Sequence, residues 1–271
     1  MAAGDHPPAV HRARPRAEVA EPETRRDMAR NAGIELVLVD FDDTLVATAP
    51  RFERARDELF RLLRREGFEE AAARALHHDI IDPEMRKQYG LGPQRLAHAF
   101  RETYVRLCGQ AGRQPDPQQL ERCAALGRTV EGTPPAIDGA LEALRRLAER
   151  LPTALYTQAG NARYQLECVR GAGVLNLLPV EKVHVCATKT AAAFARALAH
   201  FGVTDPARAW MVGNSIRSDI NPALESGAHA ILIEVENQWV YDVVEPIGNG
   251  FPRVPTFAAA VDLLLRLADG G

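Results

Sequence analysis

The sequence predicts an α/β protein built on a doubly wound parallel sheet, with a helical unit inserted after the first strand. Three observations predict it. The run Leu36–Val39 is an unbroken apolar stretch of the kind buried on both faces of a parallel sheet, and it ends abruptly in Asp40, Asp42 and Asp43. After about residue 133, short apolar runs alternate with single helical periods, the pattern of strands joined by crossover helices. Between residues 50 and 130 only helical periodicity is present.

Taken in chain order, residues 1–31 are rich in Ala, Pro, Arg and Glu without apolar periodicity, and are expected to form a disordered N-terminal extension. They lack the apolar core of a secretory signal, and their Arg residues alternate with acids, so they do not form a basic arm. The core is expected over 32–49 and 131–271, with a helical cap over 50–130 broken at Gly67, Pro83, Pro93 and 114–117. Beyond it, Ile137, Leu141, Leu144, Ala148 and Leu151 recur at helical spacing, and 153–157 reads as a buried strand. A helix near 162–170 and a strand near 183–187 follow, then a helix with Phe194, Ala197, Leu198 and Phe201 on one face. Ala209–Gly213 is the next strand, 219–227 a helix closed by glycine, and 229–235 the last clear strand.

Composition excludes several classes. A chain of 271 residues, 46% hydrophobic and 25% charged, can bury a substantial core. Its net charge of -3 gives no electrostatic case for nucleic acid or an anionic membrane. No apolar run approaches the roughly 20 residues of a membrane helix, so a soluble protein is expected. Cys108, Cys123, Cys168 and Cys186 are widely spaced without a CxxC pair, which argues against a disulfide framework or zinc cluster and for a reducing cytoplasm. There is no GxxxxGK[ST] loop, and the glycines at 171 and 173 follow a helix and lack the third glycine of a dinucleotide site.

The three carboxylates repel one another unless something positive sits among them. In an open parallel sheet the crevice lies outside the carboxyl ends of the strands, where Asp40 and Asp42 stand. Thr157, Gly213, Asn214 and Asp219 follow other strands in the same way, and Lys189 lies just past the strand near 183–187, so all are expected at one crevice. An isolated DxD also suits a capped turn, but a calcium loop of the EF-hand type is excluded because Leu45 occupies its glycine position. Asp43 reads as a turn or helix-capping residue, and His77-His78 as packing or solvent-facing residues of the cap. Lys189 is one of three lysines, with Lys87 and Lys182, in a chain of thirty arginines. A compact ammonium is not interchangeable with guanidinium beside a phosphoryl group.

This arrangement resembles the haloacid dehalogenase superfamily of aspartate-nucleophile hydrolases over roughly residues 34–235. The matching motifs are Asp40-Phe41-Asp42-Asp43-Thr44 for DxDxT, Thr157 ending a strand, Lys189, and the acidic loop from Gly213 to Asp219. The resemblance implies a Rossmann-like core and a phosphatase acting on a small phosphorylated metabolite, a sugar phosphate or nucleotide. Asp40 would be the nucleophile and Asp42 the general acid and base. Mg²⁺ would be held by Asp40, the main-chain carbonyl of Asp42, and Asp219. Thr157, Gln158, Lys189 and Asn214 would bind substrate, Thr157 and Lys189 meeting the transferring phosphoryl group. The family commonly has Asp where this chain has Asn214, which predicts weaker metal binding.

About thirty residues separate Thr157 from Lys189, too few for a second inserted unit, so the helical insertion is the cap of the type called C1. Substrate identity resides there. Arg51, Arg54, Arg86 and Arg95 are candidates to meet a second anionic group, against a solvated helix face as the plainer reading. Trp239 and Tyr241 either edge the crevice or pack at the sheet rim. The alternatives are a dehalogenase, a phosphonate hydrolase using Lys87, a phosphomutase, or a binding module with a decayed site, for which Asn214 is the hint.

Overall fold

The computed structural model describes residues 33–235 and 244–270. The N-terminal extension over 1–31, Trp239 and Tyr241 lie outside the described residues. The chain begins with β1 (Leu36–Val39) and enters the insertion, formed by α1 (Ala49–Arg65), α2 (Glu70–Ala75), α3 (Asp82–Tyr89), α4 (Gln94–Gln110) and α5 (Pro117–Arg128). It returns through α6 (Ala140–Arg150), β2 (Thr153–Gln158), α7 (Ala162–Gly171), β3 (Val183–Cys186) and α8 (Ala191–His200). The last elements are β4 (Ala209–Gly213), α9 (Asn221–Glu225), β5 (His229–Ile233), β6 (Arg253–Val254) and α10 (Phe257–Ala268).

All strand pairings are parallel and the order is β3-β2-β1-β4-β5-β6, the doubly wound arrangement expected. β1 lies in the middle, and its alternating side chains supply two cores. Val37 and Val39 pack with Leu144 and Leu147 of α6 and Val261 and Leu264 of α10. Leu36 and Leu38 pack on the other face with Phe194 and Leu198 of α8 and Ile220. Burial on both faces explains why β1 is apolar at every position. β6 and α10 extend the fold past the last strand expected from sequence. Thr256 caps α10 by accepting a hydrogen bond from the Ala259 amide at 3.1 Å, and Phe257, Ala260, Val261, Leu264 and Leu267 form its buried face.

The insertion has a third core of its own, centred on Leu59, Phe60, Leu63, Leu96, Phe100 and Tyr104. The break expected at Pro83 is not there. Helical backbone runs on from Glu70 to Tyr89 through a π-helical turn at Leu76–Ile81. Pro83 then falls in the first turn of α3, where a missing N–H is tolerated, and the wider turn before it absorbs the change of register. His77 is fully buried, its Nδ1 3.0 Å from Thr103 Oγ1 and its ring against Phe60 and Phe100, which is the packing role.

The two linkers to the insertion run side by side. The Ala47 amide donates to Pro135 at 2.8 Å and the Ile137 amide to Leu45 at 2.9 Å. Arg51 braces the returning linker through the carbonyls of Glu131 at 2.7 Å and Gly132 at 3.0 Å.

Within the insertion α4 and α5 meet backbone to backbone at Gly127. A β-carbon there would collide with the Ala97 main chain and stand 2.7 Å from the Leu96 carbonyl carbon. Gly127→Ala should therefore destabilise the protein by about 1–3 kcal/mol through overpacking, read as a lowered denaturation midpoint. An unchanged midpoint would show that the two helices separate freely.

Candidate active site

The sheet order fixes where a site can form. From β1 the chain winds outward through β2 and β3, then crosses back to β4 on the other side of β1. The crevice opens at the carboxyl ends of β1 and β4, where connections leave in opposite directions. Asp40 follows β1 there, with its amide donating to Val212 of β4 at 2.9 Å.

Lys189 reaches this point from the loop after β3. Its Nζ donates to Asp40 Oδ1 at 2.5 Å and to Asp219 Oδ1 at 2.6 Å, with all three side chains buried. Asp219 lies in a π-helical turn, Ile216–Ile220, that folds back over the end of β4. Its Oδ2 accepts from the Ser215 amide at 3.0 Å. Gly213 is required at the strand end because a β-carbon would overlap the Asp219 carboxylate. Lys189 is anchored at its own backbone, where its amide donates to Gln158 Oε1 at 3.1 Å, and its ammonium lies 5.2 Å from the centre of the Tyr156 ring.

Asp42 turns away from this cluster. Its Oδ1 accepts from Thr48 Oγ1 at 2.5 Å and its Oδ2 from Gln165 Nε2 at 2.8 Å. The same Gln165 nitrogen is 2.9 Å from Thr157 Oγ1, so one buried amide ties the second aspartate to the strand-end threonine. Gln165 and Thr48 were missed by sequence reasoning, because a glutamine on a helix and a threonine before one carry no motif. Asp43 does what its sequence context suggested. It has φ 58 and accepts from the amides of Thr48 at 3.0 Å and Ala49 at 2.7 Å, fixing the start of α1. Thr44 donates to Asp40 Oδ2 at 3.3 Å, and Asn214 Oδ1 lies 3.4 Å from the same hydroxyl.

Burial raises the Asp40 carboxyl to about 8 despite Lys189, and Asp219 and Asp42 push it the same way. Burial also raises Asp42, against the hydrogen bonds of Thr48 and Gln165, and takes Asp43 to about 6. For Lys189 burial opposes the charge, but Asp219 and Asp40 more than offset it and hold the ammonium above its ordinary value. The cluster is thus short of positive charge even with Lys189 in place. Asp40 and Asp219 offer the hard oxygen donors a divalent cation takes. Among the described residues no three or more carboxylate, imidazole or thiolate side chains converge on one point, so any further donor must be a main-chain carbonyl, a neutral side-chain oxygen such as that of Asn214, or water. The residues fit such a cation on that condition.

A cavity of about 330 Å³ lies between the sheet edge and the insertion. Asp40, Asp42, Gln158, Lys189, Asn214 and Asp219 line it. Thr157 does not; it is fully buried just beneath. On the insertion side Arg51, Arg86 and Arg95 reach the cavity, as does Arg56, which sequence did not single out. Arg54 is exposed and Lys87 is exposed, and neither lines it. The turn from Gly90 to Gly92 packs on the loop after β2, where a β-carbon on Gly160 would stand 3.4 Å from the Leu91 nitrogen.

Replacing Lys189 by Met leaves Asp40 and Asp219 facing each other in a buried site. The loss should be about 3–5 kcal/mol at neutral pH. Burial already holds Asp40 at about 8 in the wild type and it rises further without the ammonium, so the penalty grows with pH only above about 8, where the wild-type carboxyl ionises and the variant's does not. Denaturation in chelator should find the gap between Lys189→Met and wild type larger at about pH 9.5 than at pH 7; a gap independent of pH would refute the assignment of the ammonium as their shared counter-charge.

A family model for haloacid dehalogenase-like hydrolases matches residues 34–227. No curated protein sequence matches. Among solved structures, a haloacid dehalogenase-like family hydrolase from Xanthomonas campestris aligns with TM-score 0.71 at 22% identity, covering 88% of this chain and 93% of its own. A HAD family hydrolase from Deinococcus radiodurans with bound phosphate and sodium gives 0.58 at 20%, covering 88% and 98%. A 2-haloacid dehalogenase from Pseudomonas syringae gives 0.51 at 20%, covering 86% and 99%. At these identities the structural likeness concerns the fold. With the family match spanning most of the chain, this protein belongs to the haloacid dehalogenase-like hydrolases.

Proposed function

We propose that the protein is a Mg²⁺-dependent phosphatase of small phosphorylated metabolites, the insertion serving as a cap over the crevice. The observation that carries this reading is a second carboxyl, Asp42, lining the same cavity as Asp40 and held apart from the Lys189 cluster by Thr48 and Gln165. Phosphate bound in the Deinococcus radiodurans hydrolase supports it. Carbon–halogen hydrolysis on Asp40 would leave Asp42 without a task, and the exposed Lys87 outside the cavity does not suit a Schiff-base route to phosphonates.

In this reading an Asp40 carboxylate oxygen attacks phosphorus, the ester P–O bond breaks, and the departing alkoxide takes the proton of Asp42. Water then attacks the aspartyl-phosphate, gives its proton to Asp42, and releases phosphate and the Asp40 carboxylate. Lys189 holds Asp40 in place and offsets the charge gathered around phosphorus. The Thr157 hydroxyl, buried beneath the cavity, accepts from Gln165 and so helps hold that amide against Asp42 instead of meeting the phosphoryl group. Asn214 and Gln158 contact the substrate from the cavity wall. Asp40, Asp219 and the Asp42 carbonyl would hold Mg²⁺, which would supply charge neutralisation around the phosphoryl group. The cap excludes water from the carboxylates while the ester is bound.

Four free cysteines fit a reducing cytoplasm, where we place the protein. No helix among the described residues is long and apolar enough to cross a membrane.

Phosphate release from a panel of phosphomonoesters should require Mg²⁺ and fall by more than about a thousandfold in Asp40→Asn, since the nucleophile is lost. Release that survives this substitution would sink the mechanism. Mg²⁺ at about 100 times its Kd should also stabilise the wild type by about 2.7 kcal/mol, and this gain should shrink in Asp219→Asn. Equal thermal shifts in both proteins would remove Asp219 from the metal site.

A further inference from the structure

The cavity is electrically divided. Its sheet side carries Asp40, Asp42, Asp43 and Asp219 around Lys189, with Arg217 from the turn after β4, whereas its insertion side carries four arginines, Arg51, Arg56, Arg86 and Arg95, with Glu53. The four arginines are not equivalent. Arg51 is committed to the carbonyls of Glu131 and Gly132 and serves the linker. Arg95 is 3% exposed and pairs with Asp82, itself 3% exposed, across the junction of α3 and α4. A buried ion pair contributes little net stability, so its retention here has a positional meaning. Asp82 and Arg86 stand four apart on α3 and therefore on one face, and the clamp on Asp82 turns that face, with Arg86, toward the cavity. Arg56 reaches the same wall from α1, with its guanidinium 5.9 Å from the centre of the Phe52 ring. Phe52, Leu91 and Pro93 complete an apolar lining between the arginines and the sheet edge.

The geometry points to a second anion subsite on the cap, formed by Arg56 and Arg86 and positioned by the Arg95–Asp82 pair, so that the substrate is a small phosphomonoester with a carboxylate or second phosphate at its far end. This rests on the phosphatase reading for the end that meets Asp40. A cavity of about 330 Å³ admits a short two-ended molecule whose phosphoryl group faces Lys189 and whose second anion faces the guanidiniums. A phosphomonoester without a second anion would gain less from the guanidiniums.

Two measurements test it. Calorimetry on wild type with Mg²⁺ compares 3-phosphonopropanoate with propylphosphonate, which differ only in the terminal carboxylate. The carboxylate should tighten binding by about tenfold or more, and Arg86→Gln or Arg56→Gln should reduce that ratio severalfold. Hydrolysis is then compared for 2-carboxyethyl phosphate and propyl phosphate, where the same ratio in kcat/KM should fall in the variants, mainly through KM. Using a ratio within each protein cancels any loss of folded protein. Equal binding of the two phosphonates by wild type, or a preference untouched in both variants, overturns the subsite. Selective binding without hydrolysis of either ester keeps the subsite and removes the phosphatase reading; hydrolysis without selectivity does the reverse.

Discussion

Everything in this molecule is arranged around the repulsion among carboxylates at the end of β1. Asp40 stands where the central strand of a parallel sheet runs out, with Asp42 and Asp43 beside it and Asp219 brought in from β4. Water cannot screen such a group once the insertion covers it, so compensation must be built in. Lys189 supplies part of it through two short ion pairs, and it comes from the loop after β3, two strands away. The cluster therefore closes only when the sheet has assembled in this order. The backbone beneath it is equally constrained: Gly213 gives up its side chain to make room for Asp219, and Asp43 takes φ 58 so that α1 can begin.

The neighbouring aspartates share a short segment but sit in separate surroundings because their partners differ. Asp40 is tied to Lys189 and Thr44, both belonging to the sheet side. Asp42 is tied to Thr48, on the way out to the insertion, and to Gln165 on α7. Its orientation thus depends on the outgoing linker and on α7, whereas that of Asp40 depends on Lys189 and Thr44. The proposed two-step hydrolysis needs two carboxyls in different surroundings, and these two have them, Asp40 beside an ammonium and Asp42 beside a hydroxyl and an amide.

Much of this was legible from sequence, and the part that was not has a physical reason. The strands announced themselves because burial on both faces leaves unbroken apolar runs, and Asp40, Lys189 and Asp219 were visible because chemistry ties them to strand ends. Asp43 could be read as a cap from its place alone. Gln165 could not: its contact with Asp42 spans 123 residues and depends on the register of α7. Thr157 was found, but its burial beneath the cavity was not, since a strand-end residue can face either way. Pro83 misled because a π-helical turn lets a helix pass through it. The face of α10 was written plainly in Phe257, Ala260, Val261 and Leu264, yet it follows a stretch with no strand pattern.

The unequal legibility of the two sides of the cavity follows from how each is built. Groups that must meet a reacting atom are held to a fraction of an ångström, and the surest supports are strand ends and tight turns, which compress into short motifs. The insertion's wall of the cavity is assembled from helices at several places in the chain. Arg56, Arg86 and Arg95 come from three different helices and share no spacing that would mark them as a group. Of the arginines on the insertion, Arg54 faces solvent, Arg51 holds a linker, and Arg95 is locked to Asp82. Only the packing sorts them, because helical periodicity assigns a residue to a face without saying what that face will meet. A family motif can therefore identify the chemistry of such a protein while its choice of substrate is decided by residues that the motif does not contain.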